Sequence, residues 1–289
     1  VRLFKRKARG WKEAAKILKE SPDPKVRWEA AEALAGSPAE PEILEALAEA
    51  LHDEHPFVRW KAGETLLSMR GARVLSLLLE LLNHKNVALK VEASRILGEL
   101  KDPRAGERLC KALQSQNELV RWSAAEALAN IGSQEALECL KKAANDPAWG
   151  VRRAVATALG KATTQKDKML PLLAQLAKDS HPLVRSAAAR AMGRLGSPEA
   201  EAFLLPLLQD PHPQVRAEAV WALSRTGGEE AIASLKGLLE DQELVFGEAI
   251  ASKAKRAISS IRRRLFLRRI ASLFARPQKV GPEPAEKSW

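Results

Sequence analysis

The feature that most constrains this chain is a period. An apolar anchor recurs as Val26, Val58, Leu89, Val120, Val151, Val184, Val215 and Val245, at steps of 30 to 33 residues. The residue after it is Arg27, Arg59, Lys90, Arg121, Arg152, Arg185 and Arg216, then Phe246, and four positions after the anchor stands Ala30, Ala62, Ala93, Ala124, Val155, Ala188, Ala219 or Ala249. Self-similarity of about 31 residues over eight copies means that no unit buries its own core. Each must stack on its neighbours, and a quasi-one-dimensional array follows. The chain has no Tyr, few β-branched runs and an abundance of Ala, Leu, Glu, Lys and Arg, so the stacked units are helical.

Each unit reads as two helices, such as 41–52 followed by 57–69. Gly36, Gly71, Gly98, Gly132, Gly160, Gly196 and Gly227 fall at the end of the second helix, where left-handed caps are expected. The turns "SPDP", "DEHP", "NDPAW", "DSHP" and "DPHP" between the helices supply capping Asp or Ser and a Pro for the first helical turn.

The run Asp-x-x-x-x-Val-Arg-x-x-Ala-x-x-Ala-Leu-Gly, seen over 146–160 and 179–193, resembles the HEAT-like repeat of the phycobilisome-lyase type. The resemblance covers about residues 11–255 and implies an all-α fold, a right-handed α-solenoid of about eight two-helix repeats. It also implies that the motif Arg is structural, with Arg152 paired to Asp146 or to an acid of a neighbouring repeat. Lys90 and Phe246 depart from the motif, so the third and eighth units are expected to be the loosest.

At about 100° per residue, the anchor and the fourth, seventh and eighth residues after it share one side of the second helix, while the second and sixth residues after it point away. Trp28, Trp60 and Trp122 hold the first outward position; Glu32, Glu64, Glu126 and Trp221 hold the second. In solenoids similar to this one the second helices line the concave side, which makes these residues a groove of aromatics each followed by a carboxylate. An indole beside a carboxylate suits a Lys or Arg side chain, by cation–π attraction and ion pairing. Stacked helices about 10 Å apart meet roughly every third residue of an extended strand. The expected partner is therefore a protein or extended peptide carrying basic side chains. Local packing of each indole on its neighbours is the competing reading. In the second half Arg153, Arg190 and Arg225 replace the acids, and Trp149 lies in an inter-helix turn.

The formal charge of +11 is concentrated at the ends, and residues 13–250 carry −4. A mildly acidic body disfavours tight nucleic-acid binding, whose affinity rests on phosphate neutralisation. Residues 253–276 hold nine basic groups and no acid. Within them Phe266, Leu267, Ile270, Leu273 and Phe274 cluster on one side, amid Arg262, Arg263, Arg264, Arg268 and Arg269. This is the pattern of an interfacial helix for an anionic membrane or polyanion; the alternative is a cap over the last repeat, through Ile258, Ile261 and Leu265.

Enzymatic signatures are sparse. Deoxyhypusine hydroxylase, which resembles this repeat, uses His-Glu pairs; none of His52, His55, His84, His181 and His212 precedes a Glu. The histidines sit at or beside the inter-helix turns and read as turn caps, so no metal site and no cofactor are expected. Trp149, Asp146, Arg152 and Arg153 could be arranged as in HEAT-like DNA glycosylases, a reading the acidic body opposes. Cys110 and Cys139 lie in helical apolar patterns and read as buried reduced thiols, which with the absence of a spanning segment or secretory signal points to the cytoplasm. The expectation is a monomeric, non-enzymatic scaffold binding its partner on the concave surface, cytoplasmic or peripheral at the membrane, with a bilin-lyase-type accessory or catalytic protein as the alternative. Its parts are a basic N-terminal segment (1–10), the solenoid (11–255), a basic amphipathic helix or cap (256–276) and a disordered tail (277–289).

Overall fold

The computed structural model describes residues 9–161 and 166–274, so most of the expected basic N-terminal segment and all of the expected tail lie outside the described residues. The fold is an all-α solenoid built of helix pairs. It divides into two compact units, residues 1–197 and 198–289.

In the first unit the pairs are α1 (Arg9–Glu20) with α2 (Pro24–Ala33), α3 (Pro41–Ala50) with α4 (Pro56–Met69), and α5 (Ala72–Leu81) with α6 (Val87–Leu100). They continue with α7 (Gly106–Ala112) and α8 (Glu118–Ile131), α9 (Gln134–Ala143) and α10 (Trp149–Leu159), and α11 (Lys166–Leu176) and α12 (Pro182–Leu195). The anchors from Val58 to Val184 are buried with Leu47, Leu78, Leu109, Leu140 and Leu173 of the first helices, which makes the core a repeated layer of Leu and Val over Ala. Val26 is the exception, 37% exposed in the first pair.

Second helices approach one another through their smallest residues. A Cβ on Gly98 would lie 2.7 Å from the Ala127 Cα, and one on Gly160 equally close to the Ala191 Cα. This corrects the expectation of a left-handed cap at every repeat glycine. Gly36, Gly71, Gly132 and Gly196 have positive φ, whereas Gly98 lies within α6, Gly160 has φ −71° and Gly227 has φ −66°; what Gly98 and Gly160 require is room for the next helix.

The cysteines also differ from expectation. Cys110 of α7 and Cys139 of α9 form a disulfide with Cα atoms 5.7 Å apart. Their 29-residue separation is nearly one repeat, so stacking places them side by side. The reading of two reduced thiols is overturned, and with it the support it lent to a reducing compartment.

The second unit holds α13 (Glu201–Leu204), α14 (Pro213–Thr226), α15 (Glu229–Lys236) and α16 (Ile250–Phe274). The eighth motif, where Phe246 replaces Arg, opens as a two-stranded hairpin pairing Leu244 with Ala249 and Val245 with Glu248. Phe246 sits at its tip with φ 54° and 79% exposure. Ile250, Ala254, Ala257, Ile258 and Ile261 of α16 are buried, so the first three turns of this helix close the unit's core.

The candidate site: an arginine ladder and an aromatic face

The inter-helix turns carry a repeated device. Arg27 Nη1 donates to the carbonyls of Ser21 and Pro22 at 2.9 and 3.0 Å, while its Nε and Nη2 reach the two carboxylate oxygens of Asp53, in the next turn, at 2.7 and 2.9 Å. Arg121 does the same with Ser115, Gln116 and Asp146, and Arg152 with Asp146, Pro147 and Asp179. In the second unit Arg216 binds the carbonyls of Asp210 and Pro211 and the carboxylates of Asp241 and Glu243. Each Asp also caps its own turn, as when Asp53 Oδ1 accepts from the His55 N–H at 2.8 Å and Asp179 Oδ1 from that of His181. Each rung thus ties one turn to the next: Arg27, Arg121 and Arg152 by a bidentate, nearly buried pair with one Asp, and Arg216 by dividing its Nε and Nη2 between Asp241 and the exposed Glu243. Of the two partners expected for Arg152, the carboxylate is that of the neighbouring repeat, and Asp146 contributes only its backbone carbonyl.

Burial alone would raise the Asp53 and Asp179 carboxyls, but the guanidinium of Arg27 or Arg152 and the capping N–H outweigh it, and both are held below the ordinary carboxylate range. Asp146 and Arg152 are thereby committed to the ladder. Trp149 stacks on His181 with ring centroids 4.1 Å apart and planes 3° from parallel. The arrangement sketched for a glycosylase site is consumed by packing.

The outward face of the second helices is aromatic but unevenly exposed. Trp60, Trp122 and Trp221 are exposed and Trp28 is half-buried. The reason lies in Lys61, whose ammonium sits 4.8 Å from the Trp28 ring and 5.0 Å from the Trp60 ring and 3.5 Å from the Glu32 carboxylate. The slot expected to receive a partner's basic side chain is filled from within. Glu64 and Glu126 are exposed, as are Arg153 and Arg190. Although the Glu126 side chain as a whole is exposed, burial of its carboxyl raises its pKa, against the pull of Lys161 and Arg153. In the second unit Arg225 lies 5.4 Å over the Trp221 ring.

Beside the Lys61 slot is a cleft of about 440 Å³ lined by Pro24, Lys25, Trp28, His55, Phe57 and Trp60. Phe57 is 66% exposed and Trp60 51%. Phe57 was missed as a candidate, and His55 was read only as a turn cap, because only positions after the anchor were weighed for this face. The residue just before it lies at the mouth of the same helix, and its exposed occupants, Phe57 and Leu119, were the available signal. His55 also departs from its equivalents: His181 and His212 Nδ1 accept from the N–H two residues on, while the His55 Nδ1 is buried without a partner and its ring leans on Phe57 at 5.5 Å.

On α16, Arg264 is folded inward. It donates to the carbonyls of Ser224 (2.6 Å) and Gly227 at the end of α14, and burial, with the nearby Arg268, lowers its pKa. It is spent on capping rather than offered to a polyanion. Arg262, Arg263, Arg268 and Arg269 are exposed, Phe266 is 63% exposed, Leu267 is exposed and Ile270 half-buried; the Leu273 and Phe274 side chains lie outside the described residues.

Among the described residues no group of three or more His, Cys, Asp or Glu is placed to hold a metal ion, and no helix is long and apolar enough to cross a membrane. The model of HEAT repeats matches residues 12–90, 76–160 and 169–252. The chain belongs to the HEAT-repeat family. No curated protein matches this HEAT-repeat chain. Among solved structures it is similar to YIBA_ECOLI, with 22% identity and a TM-score of 0.62, over 90% of this chain and 93% of that one. An engineered protein shares 24% identity over 88% and 78% of the two chains at a TM-score of 0.48. The complex of CpcE and CpcF of phycocyanin lyase from Nostoc sp. PCC7120 shares 22% over 86% and 93% at 0.44. At these identities the likeness concerns the fold.

Proposed function

We propose that this HEAT-repeat protein is a non-enzymatic scaffold that binds a protein partner on the outward face of its second helices, with the Trp28, Phe57 and Trp60 cleft as the anchoring pocket. The observation that carries this reading is the pair of large aromatics left exposed around a cleft whose cation slot is already occupied. A monomer gains nothing from Phe57 in water, whereas aromatics around a pocket are the common anchors of interfaces. With Lys61 in place, the cleft offers apolar surface to a partner's own apolar side chain rather than a cage for its lysine. The experiment is affinity capture with quantitative mass spectrometry, comparing the native protein with a Phe57→Ala/Trp60→Ala variant and a Trp122→Ala variant. The scaffold reading requires a specific protein that is retained by the native chain, lost from the first variant and reproduced with purified components. Identical captured sets from native and variant would refute it.

A second reading rests on a different observation: Phe266 and Leu267 stand exposed between Arg262, Arg263, Arg268 and Arg269 beyond the last buried contact of α16. Such a surface attaches to anionic membranes, with each cation near the leaflet contributing on the order of 1 kcal/mol. Because the start of α16 closes the core, truncation is the wrong test. A Phe266→Ser/Leu267→Ser variant and an Arg268→Glu/Arg269→Glu variant are instead compared in sedimentation with anionic and zwitterionic vesicles. Salt-sensitive binding to anionic vesicles, lost in both variants, supports attachment; binding indifferent to lipid charge contradicts it.

A further inference from the structure

The ladder lacks a rung at the third turn. At the position that holds Asp53, Asp146, Asp179 and Asp210 in other turns, five residues before the anchor, the third turn has His84. His84 keeps the local half of the task, its Nδ1 accepting from the Asn86 N–H at 3.1 Å, but an imidazole supplies no carboxylate to the preceding repeat. Arg59 is nevertheless set in the ladder pose, its Nη1 donating to the carbonyls of Asp53 and Glu54 at 2.8 and 3.0 Å, as Arg27 does in its own turn at 2.9 and 3.0 Å. In every completed rung this pose turns the Nε and Nη2 edge toward the next turn's carboxylate. No carboxylate among the described residues lies within ion-pair distance of Arg59. The surrounding run 83–90, "NHKNVALK", has Lys85 and Lys90 and no acid.

We propose that the open edge of Arg59, over the exposed third turn, is a docking site for an Asp or Glu side chain of a protein partner, which completes the ladder in place of the missing Asp. This deepens the scaffold reading and rests on it for the existence of a partner. It assigns that partner an acidic character at this turn, where charge complementarity favours it: a planar carboxylate matches the guanidinium fork bidentately, and Lys85 and Lys90 add attraction. The completed rungs supply the geometry, and the site needs no rearrangement of Arg59.

The test uses the full chain and the capped peptide acetyl-Asp-Asp-Asp-amide as probe, followed by NMR of the arginine Nε–H resonances. The peptide is expected to shift the Arg59 signal saturably, and Arg59→Gln to weaken binding at least about tenfold. The internal control is His84→Asp, which restores the residue found in four other turns: it is expected to raise Tm by about 2–4 °C and to abolish peptide binding, because its own carboxylate takes the edge. If His84→Asp leaves both Tm and binding unchanged, Arg59 is not aimed at a vacant carboxylate position and the proposal is wrong. If it raises Tm while the native chain shows no saturable shift with peptide, the vacancy is structural only and the docking site is refuted. A shift by inorganic phosphate equal to that by the peptide at matched ionic strength also overturns it, by showing a general anion contact. Phe57→Ala/Trp60→Ala is expected to leave peptide binding intact, so failure of the aromatic cleft as an anchor is distinguishable from failure of this site.

Discussion

The turns around the third repeat and those of the fifth and sixth repeats do the same local work and different long-range work. His84 and Ser115 cap the N–H two residues on, at 3.1 and 3.2 Å, as Asp146 and Asp179 do at 2.9 and 2.8 Å. Only the aspartates also receive the arginine of the repeat before, Arg121 at 2.7 Å and Arg152 at 2.6 Å. Capping a helix and coupling two repeats are therefore separable, although one Asp usually performs both. Where the coupling half is missing, the array relies on packing alone, and in a solenoid the local interface sets local stability. The unit containing Lys90 and His84 is where the chain is expected to open first.

The largest expected contrast is between removing the acid from a complete rung and removing the side chain from the incomplete one. Asp179→Ala leaves the Arg152 guanidinium nearly buried without its partner and should cost about 3 kcal/mol. His84→Ala loses only a cap, about 1 kcal/mol. Chemical denaturation of both variants checks the ratio, and equal losses would break the comparison.

Next in size is Gly98→Ala. Between the third and fourth repeats no rung operates, and the close approach of α6 to Ala127 carries the interface. A methyl 2.7 Å from the Ala127 Cα forces the helices apart, at about 1–3 kcal/mol, against less than about 1 kcal/mol gained in helix propensity. A melting temperature at or above that of the native chain would show that the backbones have room to spare.

Acid should erase the contrast. The Asp53 and Asp179 carboxyls have folded pKa values below their unfolded ones, so each contributes stability in full above the ordinary carboxylate value of about 4 and loses it as pH falls through the lower, folded value. Lowering pH below about 4 is expected to accelerate exchange in α2, α4, α10 and α12 and to change α6 least, since its turn has no Asp to protonate. Uniform acceleration across all six repeats of the first unit would contradict the assignment of coupling to these pairs.

The smallest effect is expected at the aromatic face. Trp60→Ala should alter stability by less than about 1 kcal/mol, as exposed substitutions do. A larger loss in thermal denaturation would mean that the Lys61 stack between Trp28 and Trp60 is a structural element.

Most of the array was legible in the sequence because stacking demands repetition: a small residue at the fourth position and an apolar anchor cannot be varied without disturbing two interfaces. The ladder was legible as chemistry but not as connectivity, since Arg152 has an Asp in its own turn and another one repeat on, and only coordinates show that it takes the second by side chain and the first by backbone. The contents of the aromatic slot were hidden for a related reason. Lys61 follows Trp60 directly, but its placement between two indoles depends on the lateral spacing of α2 and α4, which a helical projection of either helix omits. The Cys110–Cys139 bond was within reach of the periodicity, and was missed because each cysteine was read only against its own helix. At Gly98 and Gly160 two physical needs for glycine, positive φ and close approach, share one letter.

Hydrogen exchange of the native chain at neutral pH, resolved by segment, in oxidising and in reducing buffer, tests the account most directly. The uneven ladder predicts that amides of α6 (Val87–Leu100) exchange at least about tenfold faster than those of α10 and α12, equivalent to roughly 1.4 kcal/mol of local stability, whether or not the disulfide is intact. Protection in α6 equal to or greater than that in α10 and α12 would contradict it, and would mean that the arginine rungs do not set where this solenoid yields.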